Sequence, residues 1–449
     1  MPIEILYIVA LLAVICVTFL LFKRPIYECM FYGYVLMVIL TDQYENFFGY
    51  MLKTSTDTLF YSILAFLVLA KILDATHAVD GIVNLIVALF GRIPGGAAFT
   101  AVIGSAFMGA LSGSGAGNVA TTGVFTIPAM KKSGVPPHLA ANIESASSTM
   151  GNMIPPSGVI LAALACYNEF SGADMSQSVF WIVCWGIGLW FILQRIVTTF
   201  VFCKIYHVKP MAKEDIPNLK ETFKSSWKNL VLPIIILLPF ILDFFFKETF
   251  FTARLGSAGA KNLSSSLLIF TPGVAAVYAL LVNKRTWNTR GLVETLKKSV
   301  TGIVPVGATI FFAYCISNLF SATDLGAKIG GYIQELNLSV VALAFLIPLI
   351  CAILGMVLPG SAQTKIFGGT IISIFAAAGG NPLLAAAMLP AITGAMEGMT
   401  PPLAICMYTA MGISGSKMKE TTINCLIWVF IHYILSVVCF LGLLPILGL

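Results

Sequence analysis

The chain has 449 residues, 58% of them hydrophobic and 10% charged, with a net charge of +6. Soluble domains carry roughly 25% charged residues, so this composition excludes an ordinary soluble enzyme or binding module and points to a membrane protein. The ten cysteines fall mostly inside apolar segments without a CxxC or a Cys/His cluster, which predicts neither a metal centre nor a disulfide framework.

The first segment, Ile5 to Phe22, carries no charge and approaches a full span. Acidic Glu4 stands where a signal peptide would be basic, and no small-residue cleavage site follows, so the reading is a permanent helix. With the N-terminus outside, helices follow over about Ile26 to Thr41 and Thr58 to Leu73, then an amphipathic arm, Asp80 to Arg92, on the inner surface. A hairpin, about Gly95 to Met130, breaks at Gly113 to Asn118 and returns to Lys131 and Lys132 on its own side. A broken helix, His138 to about Tyr167, and a long helix to about Cys203 complete the first half.

Lys204 to Lys228, with six Lys, reads as an inner linker. Helices from Leu230 to Phe246 and from Ser265 to Val282 enclose an outer loop, and basic Lys284 to Lys298 is again inside. The second half then repeats the first upside down. It has a helix from Val300 to Phe320, an outer arm (Leu325 to Leu336), a hairpin (about Val340 to Ala378), a broken helix (Leu383 to Ile413) and a last helix (Thr421 to Ile446). The division expected is scaffold helices and inner arm in 1–92, hairpin and broken helix in 93–170, scaffold, linker and outer arm in 171–336, the second hairpin and broken helix in 337–415, and a C-terminal helix in 416–449. Lys and Arg concentrate on the inner side of this topology, which accounts for the positive charge without nucleic acid. Lys71, Arg195 and Lys365 are left at membrane depth.

The two halves share a spaced pair of breaks. GSGAGNVATTG (Gly113 to Gly123) leads to SSTMGNMIPPSG (Ser147 to Gly158), and PGSAQTKIFGG (Pro359 to Gly369) leads to GAMEGMTPPLA (Gly394 to Ala404). Ser114 to Pro155 is 41 positions and Ser361 to Pro401 is 40. Paired interruptions in matching hydrophobic segments mark secondary transporters with a site near the bilayer midplane. Broken backbone at that depth persists only when buried in protein or lining a watery cavity, where freed amides suit anions and freed carbonyls suit hard cations. The fold class expected is an all-α polytopic membrane protein, an inverted-repeat transporter with two re-entrant helical hairpins and two broken helices.

GRIPGG (Gly91 to Gly96), GSGAGNVATTGVFTIPAMKKSGVPP (Gly113 to Pro137) and SASSTMGNMIPPS (Ser145 to Ser157) resemble the large membrane subunit of tripartite ATP-independent periplasmic (TRAP) transporters. NVATTGVFTIPAMKKSG, with Glu144 in the next helix, is most similar to the branch that uses TAXI-type receptors. LGMVLPG (Leu354 to Gly360), MTPPLA (Met399 to Ala404) and MGISG (Met411 to Gly415) carry the likeness through the second half. One departure is LGMVLPGSAQTKIFG where relatives have LGMGLPTTAAY, which leaves the substrate and the second cation site open. The resemblance implies Na⁺-coupled uptake of an organic acid, often a carboxylate, across a bacterial-type inner membrane. It also implies a periplasmic solute-binding protein, a small four-helix membrane subunit, an elevator-type motion, and Na⁺ as coupling ion with no other cofactor.

On this basis Ser112, Ser114, Asn118, Thr149, Gly151 and Asn152 are expected to form a first Na⁺ site, their hydroxyl, amide and carbonyl oxygens suiting a hard ion. Gly360, Ser361, Thr364, Gly394, Gly398 and Thr400 are expected to form a second. Substrate is expected near Ser114, Ala116, Asn118, Ser148, Pro156, Ser157, Gln363, Lys365 and Pro402. Lys365 either meets a substrate carboxylate or is solvated or paired with Glu397. Glu144 and Glu397 either couple protons or make inter-helix hydrogen bonds, the latter being the expected role, and His138 and His432 read as structural. A Na⁺/H⁺ antiporter or channel of the same architecture, working without a receptor, stays open. No GxSxG, HExxH or GxxxxGK[ST] occurs, so neither an enzyme nor direct ATP use is expected.

Overall fold

The computed structural model describes residues 3–78, 80–112, 115–172, 175–284, 288–325, 328, 331–332, 335, 338–356, 358–401 and 404–449. Among these, every regular element is helical. Gly113, Ser114, Pro402 and most of the expected outer arm lie outside the described residues.

The chain enters through α1 (Ile3–Cys16), α2 (Ile26–Leu40), a short α3 (Phe47–Ser55), α4 (Thr58–Ala75) and the arm α5 (Asp80–Phe90). The first hairpin is α6 (Gly96–Ser112) and α7 (Gly115–Lys132), and the first broken helix is α8 (Pro137–Ser148), one turn at Met150–Met153, and α9 (Gly158–Ser171). Then come α10 (Gln177–Ile205), a surface helix α11 (Leu219–Ser226), α12 (Val231–Phe246), α13 (Thr252–Val282) and α14 (Thr289–Ala322). The second hairpin is α15 (Val340–Leu354) and α16 (Gly360–Ala377). Its broken helix is α17 (Pro382–Leu389), a π-helical segment Pro390–Ala395 and α18 (Ile405–Ser414), and α19 (Met418–Phe440) ends the order.

Two expectations need correction. The outer loop before Ser265 is helical: α12 continues through a π turn, Lys247–Phe251, into α13, and the chain bends where Gly256 takes φ 73° and ψ 169°. Only glycine occupies that conformation at little cost. The helix expected from Val300 starts at Thr289, because Asn288 caps it by accepting the Gly291 N–H at 2.6 Å.

Burial is inverted relative to a soluble protein. On α10, Leu189, Leu193, Val197, Phe200 and Val201 are exposed whereas Arg195, Thr198 and Thr199 are buried. That arrangement suits hydrocarbon outside and polar groups satisfied within. Both α10 and α19 are long and apolar enough to cross a bilayer.

The broken helices occupy the centre, with Leu139 to Ser148 and Leu384 to Ala395 buried without exception. The halves interlock around them: α9 of the first half packs on α16 of the second, and α18 of the second packs on α7 and α8 of the first. Helices α10 and α19, grouped from sequence with the scaffold and the C-terminus, also pack against α8, and α14 joins α2, α3 and α4 to the outer face of α16.

Glycines set the closest approaches. A Cβ on Gly109 would lie 2.9 Å from Gly151 Cα, and one on Gly360 would lie 2.3 Å from Gly394 Cα. Small residues at such crossings permit the contact packing that drives helix association in lipid. Gly360→Ala should therefore destabilise the protein by about 1–3 kcal/mol through overpacking. Gly369→Ala, where a Cβ meets nothing within 4 Å, should be neutral or stabilising; thermal unfolding in detergent distinguishes the two.

Candidate functional site

The four breaks meet at one place. After the first hairpin tip, the Gly115 N–H donates to Asn152 Oδ1 at 3.3 Å. Asn152 Nδ2 donates onward to the Gly394 carbonyl of the other half at 2.5 Å. The second tip is built alike, with the Gly360 N–H donating to Glu397 Oε2. Each tip helix thus has its first amide capped by a side chain from the broken helix of its own half, a neutral amide in one and a carboxylate in the other. Helix N-termini carry partial positive charge, so the α16 end is compensated by Glu397 and the α7 end keeps its attraction for an anion.

Glycines again allow this convergence. A Cβ on Gly394 would meet Asn152 Cβ at 2.9 Å, and one on Gly398 would meet Thr149 Cγ2 at 2.7 Å. The structure therefore brings Asn152 and Thr149 of the expected first cation site against Gly394 and Gly398 of the expected second, while Gly151 lies against Gly109 of α6. Asn118, buried on α7, donates through Nδ2 to the Ser105 carbonyl at 2.7 Å and the Ser148 carbonyl at 3.3 Å. Thr149 Oγ1 and Thr400 Oγ1 donate to carbonyls of their own helices, Ala146 at 2.8 Å and Met396 at 2.9 Å. Thr364 shares a 2.7 Å hydrogen bond with Thr393 Oγ1.

Among the expected substrate residues, Ala116 is half-buried beside Gly115, and Pro156 lies buried in the first break after the cis Pro155–Pro156 bond. Ser157 caps α9, accepting from the Val159 and Ile160 amides at 3.2 and 3.4 Å while donating to the Asn152 carbonyl at 2.6 Å. Gln363 donates to the Leu358 carbonyl at 2.8 Å, and its buried Oε1 has no donor among the described residues. Ser361 is half-buried on the first turn of α16, Ser112 ends α6, and Ser114 and Pro402 lie outside the described residues.

Lys365 is neither solvated nor paired with Glu397, and both expectations are corrected. Its fully buried ammonium lies 2.7 Å from Glu169 Oε1 on α9 and 4.3 Å from the centre of the Tyr314 ring on α14. The reason is register: Lys365 sits five positions beyond the tip glycine, where α16 has turned away from Glu397 toward α9 and α14. The contact with Glu169 already engages the charge expected to meet a substrate carboxylate.

Glu144 makes inter-helix hydrogen bonds, as expected, to Ser105 on α6 and to Thr122 and Thr126 on α7. His432 is structural: it accepts from Arg195 through Nδ1 at 2.8 Å, so its Nε2 carries the hydrogen toward the Ala391 carbonyl at 2.9 Å. Arg195 also donates to the Ala146 carbonyl at 3.2 Å, tying α10 to the end of α8, where carbonyls favour a cation. Sequence reasoning missed Glu169 and Tyr314 as partners of Lys365. It also missed the stripe Asn118, Thr122, Thr126, although a polar residue every fourth position in an apolar helix is a readable signal.

Lys365 is buried while Glu169 is partly open to solvent, and removing the partner of a buried charge costs more than removing both. Glu169→Gln strands the Lys365 ammonium and, with the carboxylate partly screened by solvent, should lower stability by about 1–2 kcal/mol. The double variant Lys365→Met/Glu169→Gln should recover most of the loss, read as unfolding midpoints of the two proteins.

The chain matches the family described as tripartite ATP-independent periplasmic transporter, DctM component, over residues 5–445. It is 28% identical over 175 residues to the uncharacterized protein YgiK of Salmonella typhimurium, 39% of either chain. With the isethionate TRAP transporter permease protein DctMQ of Oleidesulfovibrio alaskensis it shares 22% identity over 76% of its own length and 50% of that protein's, so it spans half or less of these two relatives. Against a putative TRAP transporter large permease protein of Haemophilus influenzae, identity is 23% over 91% of this chain and 90% of the relative. The fold is similar to that of Neisseria gonorrhoeae MtrF, one of a class of antimetabolite efflux pumps, with a TM-score of 0.62, 17% identity, and coverage of 90% of this chain and 83% of that one. The matched stretch takes in both hairpins and both broken helices, and the chain belongs to the DctM, or large permease, family of TRAP transporters, a multi-pass membrane protein.

Proposed function

We propose that this chain is the transport subunit of a Na⁺-coupled uptake system for an organic acid, working in a bacterial-type inner membrane. A periplasmic solute-binding protein, of the TAXI type on the first-half motifs, delivers the substrate. A small four-helix membrane subunit completes the complex. The observation that carries this reading is the convergence of both tip amides, Gly115 and Gly360, on broken helices bridged by Asn152 to Gly394. Such a centre offers amides to an anion and oxygens to a hard cation within one buried volume.

The asymmetry of the tips supports the following division of roles. The α7 end, capped by neutral Asn152, attracts the substrate carboxylate, with Ala116, Asn118, Ser148 and Gln363 around it. The first Na⁺ takes oxygens from Ser112, Ser114, Asn118, Thr149, Gly151 and Asn152, and the second from Gly360, Ser361, Thr364, Gly394, Gly398 and Thr400. Lys365 holds Glu169 and positions α16 on α9. The hairpins are re-entrant and travel with the broken helices as an elevator against α2, α4 and α14. Each net positive charge carried inward gains about 2.3 kcal/mol per 100 mV, so Na⁺ in excess of substrate charge concentrates the acid inside.

The deciding experiment is uptake into proteoliposomes holding this chain and its small partner, with loaded receptor outside and an inward Na⁺ gradient imposed or abolished. Receptor-dependent accumulation driven by Na⁺ is expected; ion flux without receptor would replace this reading with an antiporter or channel. Asn118→Ala and Thr400→Ala should each raise the Na⁺ concentration for half-maximal uptake roughly tenfold, the loss of about one oxygen ligand. Unaltered Na⁺ dependence in both would remove these residues from the cation sites.

A further inference from the structure

Glu144 is a buried carboxylate of this centre that neither the proposed substrate site nor the two tip cations use. Its carboxylate is wholly buried between α6, α7 and α8 and receives four hydroxyls. Oε1 accepts from Thr122 Oγ1, from Ser148 Oγ at 3.0 Å and from Ser105 Oγ at 3.3 Å, and Oε2 accepts from Thr126 Oγ1 at 2.5 Å. Ser105, Thr122, Thr126 and Ser148 are themselves buried. Gly123 makes the room, since a Cβ there would meet Glu144 Cγ at 3.2 Å.

Among the described residues the ion pairs engage Glu28, Asp80, Asp215, Glu420 and Glu169, and none engages Glu144. Hydroxyl hydrogen bonds soften the cost of a buried carboxylate but do not cancel its charge, and an ion withdrawn from water at this depth costs several kcal/mol. Around Ser105 the oxygens have the spacing of a coordination shell, whereas Thr122 Oγ1 and Ser148 Oγ stand closer to Oε1, at direct hydrogen-bond contact, and must draw back to share an ion with it. A hard cation held about 2.4 Å from each ligand sets neighbouring octahedral oxygens about 3.4 Å apart. Ser105 Oγ lies 3.3 Å from Glu144 Oε1, 3.3 Å from Ser148 Oγ and 3.4 Å from Thr122 Oγ1. Asn118 Oδ1 closes the group 3.5 Å from Thr122 Oγ1. Each hydroxyl keeps a lone pair free while donating, and rotation of the Ser105 and Ser148 hydrogens presents both oxygens to a cation.

We propose that Glu144, Ser105, Thr122 and Ser148 form a further cation site, distinct from the two tip sites and selective for a monovalent ion of the Na⁺ class. One carboxylate balances one positive charge, whereas a divalent ion would leave a net charge buried. The Na⁺-coupled reading enters only in the choice of Na⁺ as the ion. Asn118 stands between this site and the first tip site, so an ion at Glu144 fixes the Asn118 amide in the orientation that the tip requires.

The test is equilibrium ²²Na⁺ binding to the purified full chain with its small membrane partner, choline replacing Na⁺ to hold ionic strength. Glu144→Gln keeps the shape and removes the charge; it should bind one Na⁺ fewer per chain than the wild type and lose part of the Na⁺-induced rise in unfolding midpoint. Ser105→Ala keeps the charge and should retain the full count with affinity weakened roughly five- to tenfold at one site, which serves if Glu144→Gln does not fold. Equal counts and affinities in wild type and both variants would overturn the site. So would a wild-type unfolding midpoint that follows pH at constant Na⁺ and loses that dependence in Glu144→Gln with Na⁺ binding intact, which makes the cage a proton site. Because binding is counted without transport, failure of Na⁺-driven uptake leaves this measurement interpretable by itself.

Discussion

Every unusual feature of this molecule follows from four interruptions of backbone in a place where water is not available to satisfy them. A helix that breaks at depth frees amides and carbonyls that must find protein partners. Asn152 takes the amide of the first tip and gives its own hydrogen to the opposite break; Glu397 takes the amide of the second; Ser157 restarts the helix after the cis proline. Arg195 and His432 hold the carbonyls on the far side. The centre is polar because it is broken, and it remains broken because polar side chains reach it from both halves.

This constraint also explains why charge is rationed at the centre. Ionisable groups that lie deep there have different solutions: Lys365 has a carboxylate and an aromatic face, Arg195 has a carbonyl and an imidazole, and Glu144 has hydroxyls. Glu397 is given to a helix end. Under the proposed function the mixture suits release as well as binding, since neutral oxygens and partial charges hold ions less tightly than full opposite charges.

Much of this was legible in the sequence. Pro155, Gly360 and Pro401 mark breaks, and hydropathy with Lys placement set the bounds of the paired helices 96–132 and 340–377 and of the broken helices within a few residues. The helical connection before Ser265 was not legible, because its polar stretch reads as a loop and only the single Gly256 bend shows that the chain turns while staying helical. Lys365 was legible as costly and illegible as to partner, because Glu169 is 196 residues away and nothing in the spacing joins them. The Glu144 cage lay between. The stripe on α7 is local and periodic, whereas Ser105 comes from another helix and its part emerges only when α6 and α7 are packed.

The crossing of the two halves has a consequence for biosynthesis. Since α18 forms a wall against α7 and α8, and α16 the floor under α9, neither repeat has a finished interior while the other is missing. A nascent chain that has emerged only through the basic linker holds Glu144 and Asn118 in a bundle lacking its last neighbour. The first half must therefore wait, inserted but open, until nearly the whole polypeptide has left the ribosome, and quality control in the membrane has that interval in which to act.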